Sequence, residues 1–482
     1  MRFRVFPLSA LLAVCCLLNQ NASARADTYP ELPAVTEHKL ANGLQVLVAP
    51  SSASDLETID VWVGAGTRRE TADNNGAAHF IEHLLFKGTP TRKPGEIDAA
   101  IEDLGGSLNA ATSYDWAHFY VTVGASDAPA ALDIMADVIR NAELRQQDME
   151  QERPVILSEM ARNFASPSER LTRTVDNMVF GEHPYGRPLL GTEESVAQMK
   201  RETVLDFYHT YYVPSNVTVV LSGNVSPDDG IAMAQKAFGT WASKPLPSDK
   251  TLVPPRMSQI TTRGTTDSVG RAYLVMGFNA PSVKDIPDAY AMDVLLTWLG
   301  QGGNDRLEAD LLRKQKIVTA VTADYLTQHD PGVMVVKATF EPQDLDRVVA
   351  AIVAEIQSLR DTPIAPAELA AAKHALLASY LFDVQTTSGR ANALGFYNTI
   401  DSYQYDTHYI HNFEGVTAAD IQAVAKKYLD PHAYALATLL PRPDPETAAL
   451  PSVNGRVQTR QANAGPAGSG QRPGRDKLDA LL

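Results

Sequence analysis

Cysteine is all but missing: the 482 residues hold two, Cys15 and Cys16, both close to the N-terminus. No disulfide framework therefore holds the body of the chain, and a core built from several hundred residues needs none. Basic charge is also scarce. Lys and Arg number 42 against 57 Asp and Glu, a formal charge of −15, which argues against nucleic acid or an anionic membrane as a partner. After the first eighteen residues no stretch is apolar enough to form a membrane helix. Phosphate-binding glycine loops and dinucleotide fingerprints are absent too; Gly105 and Gly106 read as a helix-ending turn.

The N-terminus carries what the rest lacks. Arg2 and Arg4 precede an apolar run over residues 5–18, and Ala24-Arg25-Ala26 supplies a small-x-small cleavage site, so residues 1–26 read as a signal peptide. A lipidated Cys15 is the alternative, disfavoured by Val14 in front of it. Cleavage after Ala26 removes three arginines and no acid, moving the formal charge from −15 to −18. A periplasmic or secreted protein is expected, with no cysteine left in it.

The most informative stretch is His79-Phe80-Ile81-Glu82-His83. Histidines four residues apart lie one turn from each other on a single helix face, and Glu82 can point into the same cleft. The flanks are apolar, with Ala77 and Ala78 before and Leu84, Leu85 and Phe86 after. A polar cluster inside an apolar helix needs partners, and a metal supplies them. Two imidazoles and an acid suit a catalytic Zn2+ site with an open water position, in the inverted order of the His-Glu-x-x-His helix.

The whole run from Gly76 to Thr89 resembles the signature of the pitrilysin-type zinc peptidases, which include insulin-degrading enzyme and mitochondrial processing peptidase. Size and layout resemble the shorter subfamily of the processing peptidase and its bacterial relatives, over about residues 31–440. The resemblance implies a third ligand about 76 residues past His83, at Glu159. The residues agree, because Val155, Ile156, Leu157 and Met160 give one helix an apolar face that would hold a ligand rigidly. By the same resemblance Glu82 is the catalytic base, and Glu152, two turns before Glu159, is a supporting acid of the catalytic site. Pro154 predicts that this helix starts near Arg153 or is kinked there.

Around the motif, strands are expected over residues 43–49, 58–63, 116–123, 217–221 and 271–278, and helices over 96–104, 128–141 (capped by Asp127), 196–211 and 287–299. Asn109 and Ala110 match the family's substrate-binding edge, where an extended peptide adds as a strand; Asn109 as a simple turn former is the alternative. His118 reads as a sheet residue and His183 as part of a packing loop. Two units look alike: a helix reaching Tyr212, then proline and the strand over 217–221, and a helix reaching Tyr428, then proline and a strand over 434–440. A duplication explains this, and the family implies it: an α+β fold of two similar domains, each an antiparallel sheet covered by helices. The expected organisation is a zinc-binding peptidase domain over 31–243, a linker over 244–257, a metal-free homologous domain over 258–447 and a flexible tail over 448–482.

One departure stands out. Family enzymes place an Arg and, seven residues later, a Tyr in the cleft; Arg313 matches the first for substrate binding, but Ala320 stands at the second. Tyr325 could replace that hydroxyl on a different loop course. The resemblance otherwise implies a sister subunit that supplies the Arg/Tyr pair, or a homodimer. The function implied is zinc-dependent hydrolysis of extended peptides or unfolded proteins; the alternative is a non-catalytic scaffold or peptide-binding protein with the same fold.

Overall fold

The computed structural model describes residues 32–249, 252–301 and 305–442. The signal peptide expected over 1–26 and the tail expected over 448–482 lie outside the described residues. Among the described residues, eleven strands form two sheets. The first contains β1 (Thr36–Lys39), β2 (Gln45–Pro50), β3 (Leu56–Val63), β4 (Ser107–Thr112), β5 (Ala117–Gly124) and β6 (Val217–Gly223), in the order β1-β2-β6-β3-β5-β4. The second contains β7 (Thr261–Asp267), β8 (Ala272–Asn279), β9 (Ala320–Tyr325), β10 (Val333–Phe340) and β11 (Ala435–Pro441), in the order β7-β11-β8-β10-β9.

Leaving out β1, both sheets follow one plan: first, fifth, second, fourth and third strand of the half, side by side. In each half the first and fifth strands pair parallel, Gln45 opposite Thr218 and Thr261 opposite Ala435, and the remaining pairs are antiparallel. The expected pair of similar α+β halves is therefore present, with one parallel ladder in each otherwise antiparallel sheet. A parallel neighbour needs a long crossover, which the helices between first and last strand provide. The helices Arg201–Tyr211 and Ala418–Tyr428 each deliver the fifth strand, through Pro214 and Pro431 respectively.

Four helices position the site: α1 (Ala77–Leu84), α2 (Gln146–Ala165), α3 (Pro167–Phe180) and α4 (Thr387–Ile400). Each sheet packs its own half's helices on one face, around Ile59, Val61, Val63 and Phe80 in the first half and Leu274, Met276 and Phe278 in the second. The opposite faces are covered reciprocally. Leu171, Val175 and Val179 of α3 pack on Val275, Ala437 and Leu439 of the second sheet. Ala391 and Leu394 of α4 pack on Leu47, Trp62 and Val220 of the first. This explains why β3 is buried from Glu57 to Val63 and β6 along its whole length: their apolar side chains meet protein on both faces.

Arg390 of α4 anchors the crossing through a buried ion pair with Asp406, whose other oxygen accepts 2.8 Å from the Tyr380 hydroxyl. Replacing Asp406 with Ala would strand a buried guanidinium and leave the Tyr380 hydroxyl only the backbone carbonyl of residue 406, at 3.3 Å. Unfolding in urea is expected to show a loss of about 3–5 kcal/mol.

Local departures from the sequence reading have local causes. The helix expected over 196–211 is two, Glu193–Gln198 and Arg201–Tyr211, because a Thr192–Ser195 capping box starts the first and Met199 leaves helical geometry. The helix expected over 287–299 is Asp288–Leu296, followed by a wider turn over Thr297–Gln301. Asp127 precedes Ala128–Asn141 without a side-chain cap bond; its carboxylate instead accepts from the Ser126 hydroxyl. Among the described residues no helix is long and apolar enough to cross a membrane.

Candidate metal centre

α1 buries Phe80, Ile81 and Leu84 in the first core, which leaves His79, Glu82 and His83 on the side facing α2 and β4. α2 runs from Gln146 through Pro154 to Ala165, so it does not start near Arg153, and Glu152 lies within it. Proline removes one donor, but it would have bonded the carbonyl of Glu150, an exposed residue within reach of water. Glu152 and Glu159 are thus two turns apart on one continuous helix.

These helices bring three ligand-type atoms together. Glu159 Oε2 lies 3.4 Å from His83 Nε2 and 3.7 Å from His79 Nε2, and the group falls within 4.8 Å. Ligands about 2.1 Å from a tetrahedral zinc ion stand about 3.4 Å from one another, so the set fits that ion without rearrangement of the helices. The two imidazole rings are nearly perpendicular, 83° apart, with centroids at 4.7 Å. It is the only such cluster among the described residues.

The surroundings fix His83, a candidate ligand. Its Nδ1 donates to Glu152 Oε2 at 3.2 Å, leaving the Nε2 lone pair for the cluster, and Lys87 donates to the other oxygen of Glu152 at 2.7 Å. Burial lifts the Glu152 carboxyl, but the Lys87 and His83 contacts outweigh it and hold the group below its usual range. For His83 burial works against protonation, and the carboxylates of Glu159 and Glu152 reverse the balance upward. The adjacent His83 ring pulls Glu159 down against the effect of burial. His79 is different: burial and then the neighbouring His83 push it down to about 4, so its imidazole is neutral around pH 7 and available as a ligand. Its Nδ1 is buried without a hydrogen-bond partner among the described residues.

Glu82 lies outside the three-atom cluster. Burial raises its carboxyl, opposed by the Thr112 hydroxyl and then by His83. Thr112 belongs to β4, the edge strand of the first sheet, in which Asn109 faces Tyr120 and Ala110 faces Phe119. Asn109 is an exposed mid-strand residue, so its reading as a turn former is wrong. Among the described residues no strand covers the other side of β4. A cavity of about 350 Å³ opens beside α2, lined by Met160, Asn163 and Phe164 and, from the second half, by Tyr325 and Leu326.

Arg313 is outside the cluster. It sits in the helical segment Glu308–Lys314 and pairs with Glu308 at 2.7 Å. Ala320 is the first residue of β9. The Tyr325 hydroxyl donates 2.9 Å to the Pro281 carbonyl within the second half, so it is already engaged as a donor there. His118 bonds Asp60 at 3.0 Å and packs on Trp62, and His183 approaches Asp330 at 3.3 Å; both serve packing, as expected. Sequence reasoning missed Lys87, although its position one turn after His83 was a usable signal, and it missed Glu70, whose carboxylate reaches the start of α1.

Residues 46–193 match the family described as Insulinase (Peptidase family M16), and residues 198–376 match the Peptidase M16 inactive domain. An uncharacterized zinc protease of Mycobacterium tuberculosis is 31% identical over 397 residues, 81% of this chain and 90% of the relative. A probable mitochondrial-processing peptidase subunit beta of Arabidopsis thaliana is 29% identical over 401 residues, 81% of this chain and 75% of that protein. A solved protease structure from Helicobacter pylori superposes with a TM-score of 0.80 at 25% identity, covering 85% of this chain and all of the other.

Proposed function

This chain belongs to the insulinase family, Peptidase family M16, and on that footing we propose that it is a zinc-dependent endopeptidase acting on extended, unfolded or short peptides. The observation that carries the proposal is the convergence of His79 Nε2 and His83 Nε2 on one oxygen of Glu159, with Glu82 on the same helix beside them.

His79, His83 and Glu159 would hold the ion. When bound, zinc supplies a Lewis acid that acidifies water and polarises a peptide carbonyl. Glu82 takes the proton from the attacking water and hands it to the leaving amine nitrogen; burial, which raises its carboxyl, makes it the stronger base. Glu152 and Lys87 keep the His83 ring in the tautomer that leaves Nε2 unprotonated. The open edge at Asn109 and Ala110 would hold an extended peptide through main-chain hydrogen bonds, which select conformation more than sequence.

The oxyanion partner is the missing piece. With Ala320 at the tyrosine position and the Tyr325 hydroxyl engaged at Pro281, we assign that donor to a sister subunit of a heterodimer, or to a second copy of this chain. Arg313 is its candidate companion in substrate binding. The signal segment supports export, and a periplasmic or secreted location goes with the proposal.

The test is cleavage of a mixed library of unstructured peptides by the mature chain alone. Chelation should abolish hydrolysis and zinc should restore it, while the melting temperature changes little, because Phe80, Ile81, Ile156 and Met160 tie α1 and α2 into the first core through apolar packing. Unfolding on chelation would instead favour a structural zinc in a binding protein. One zinc per chain without cleavage would require the partner subunit, and failure to bind zinc would favour a scaffold.

A further inference from the structure

We propose that Glu70 is a positioning residue for the peptidase site, its buried carboxylate being the cap that fixes how α1 presents His79, Glu82 and His83. The role assigned to those three residues rests on the peptidase reading; the cap rests on contacts within the chain.

α1 begins without a cap of its own. Its N-cap residue is Gly76 at φ +100°, where a Cβ would stand 3.1 Å from the Leu190 carbonyl oxygen and 3.2 Å from Gly191 Cα. Ser, Thr, Asp and Asn, the usual capping residues, are therefore excluded there by both backbone angle and space. Glu70 does the work from six residues upstream. Its Oε2 accepts from the Gly76 N–H at 2.9 Å and from Asn75 Nδ2 at 2.8 Å, and its Oε1 accepts from the Ala78 N–H at 2.8 Å. Its charge lies at the positive end of the helix dipole. Burial pushes this carboxyl up to about 7 against the pull of those donors.

Glu70 is itself held. Arg187 donates 2.6 Å to its backbone carbonyl. Two residues earlier, Arg68 is clamped by Asp330 of the second half at 2.7 Å and by Asp249 at 2.9 Å. The cap is thus mounted on the junction between the halves.

The site needs such a cap because α1 has only eight residues, too few to be stable in isolation. His79 is the third of them, so fraying of the first turn would carry its Nε2 away from Glu159. His83 has Glu152 on its other ring nitrogen, but His79 Nδ1 has no hydrogen-bond partner among the described residues. The backbone of the first turn must hold the His79 imidazole, and Glu70 holds that turn.

The test is Glu70→Gln in the mature chain, a change that keeps shape but turns an amide N–H toward backbone donors. In the metal-free variant, hydrogen exchange over 77–84 should accelerate about ten-fold or more while exchange in β3 stays at the parent rate. Zinc affinity should weaken about 10–100-fold and the visible band of the cobalt form should shift. Among active preparations, kcat should fall with KM little changed. A lower melting temperature with parent-like exchange over 77–84 and a parent-like cobalt spectrum would reduce Glu70 to an ordinary core residue and overturn the proposal. Asn75→Ala, which removes one donor to Glu70 but leaves the carboxylate, should produce the same changes at smaller size and decides the matter if the Gln variant does not fold. A parent chain that neither binds zinc nor cleaves peptides would overturn the peptidase reading alone, since exchange in the metal-free protein reports the cap independently.

Discussion

Glu82→Gln is expected to bind zinc as the parent does and to hydrolyse peptides about 1,000-fold more slowly or worse, the scale of a lost general base. The carboxylate contributes none of the three clustered ligand atoms, so the ion should remain at one per chain. Gln occupies the same volume and keeps an oxygen toward Thr112, so α1 has no reason to move. Only the capacity to take and return a proton disappears. The loss should therefore fall on kcat, with KM close to the parent value, because a group acting only in the transition state leaves ground-state binding intact. The informative measurement is single-substrate kinetics on a peptide identified from the library, alongside metal content of the same preparation. Retained turnover with zinc bound would remove Glu82 from its role as base. Lost zinc would mean that it acts as a ligand or as a support for one.

The site was more legible than its mounting. His79, Glu82 and His83 are adjacent in sequence, and helical periodicity alone puts them on one face. Glu159 required both the family spacing and the apolar side of its own helix. Of the two readings of Pro154, a helix start near Arg153 fails, because packing of Met149, Ile156 and Met160 into the first core keeps the helix running through the proline. Parallel and antiparallel strands share the same alternation of side chains, so the β2–β6 and β7–β11 ladders left no mark that periodicity could read. The strand over 217–221 was legible, but an apolar side chain does not say which helix will cover it. Glu70 was out of reach for a related reason. Beside Arg68 and Arg69 it reads only as part of a charged approach to the metal helix until the fold closes around it.

The reciprocal covering of the sheets predicts how the molecule should fail. A methyl group at Gly395 of α4 would stand 2.1 Å from Trp62 Nε1, and one at Gly277 of β8 would stand 2.4 Å from Val175 Cγ1. Trp62 is 1% exposed and Val175 is fully buried, so neither neighbour can swing into solvent to make room. Gly395→Ala and Gly277→Ala are each expected to destabilise the chain by about 3 kcal/mol, the upper end of an overpacking cost. The mutated glycine in each case belongs to the second half, yet the atom it meets belongs to the first. If the halves were independent units merely in contact, these substitutions would separate them and leave two unfolding transitions. Because α3 and α4 each complete the core of the other half, unfolding should remain a single transition at lower urea for both variants, seen alike by tryptophan fluorescence and by circular dichroism. Two resolved transitions would show that the crossing helices are not the cooperative link. Since α2 runs into α3 through Ser166 alone, a loosened crossing should also disturb Glu159, and a weaker zinc affinity in Gly277→Ala is the second reading of the same experiment.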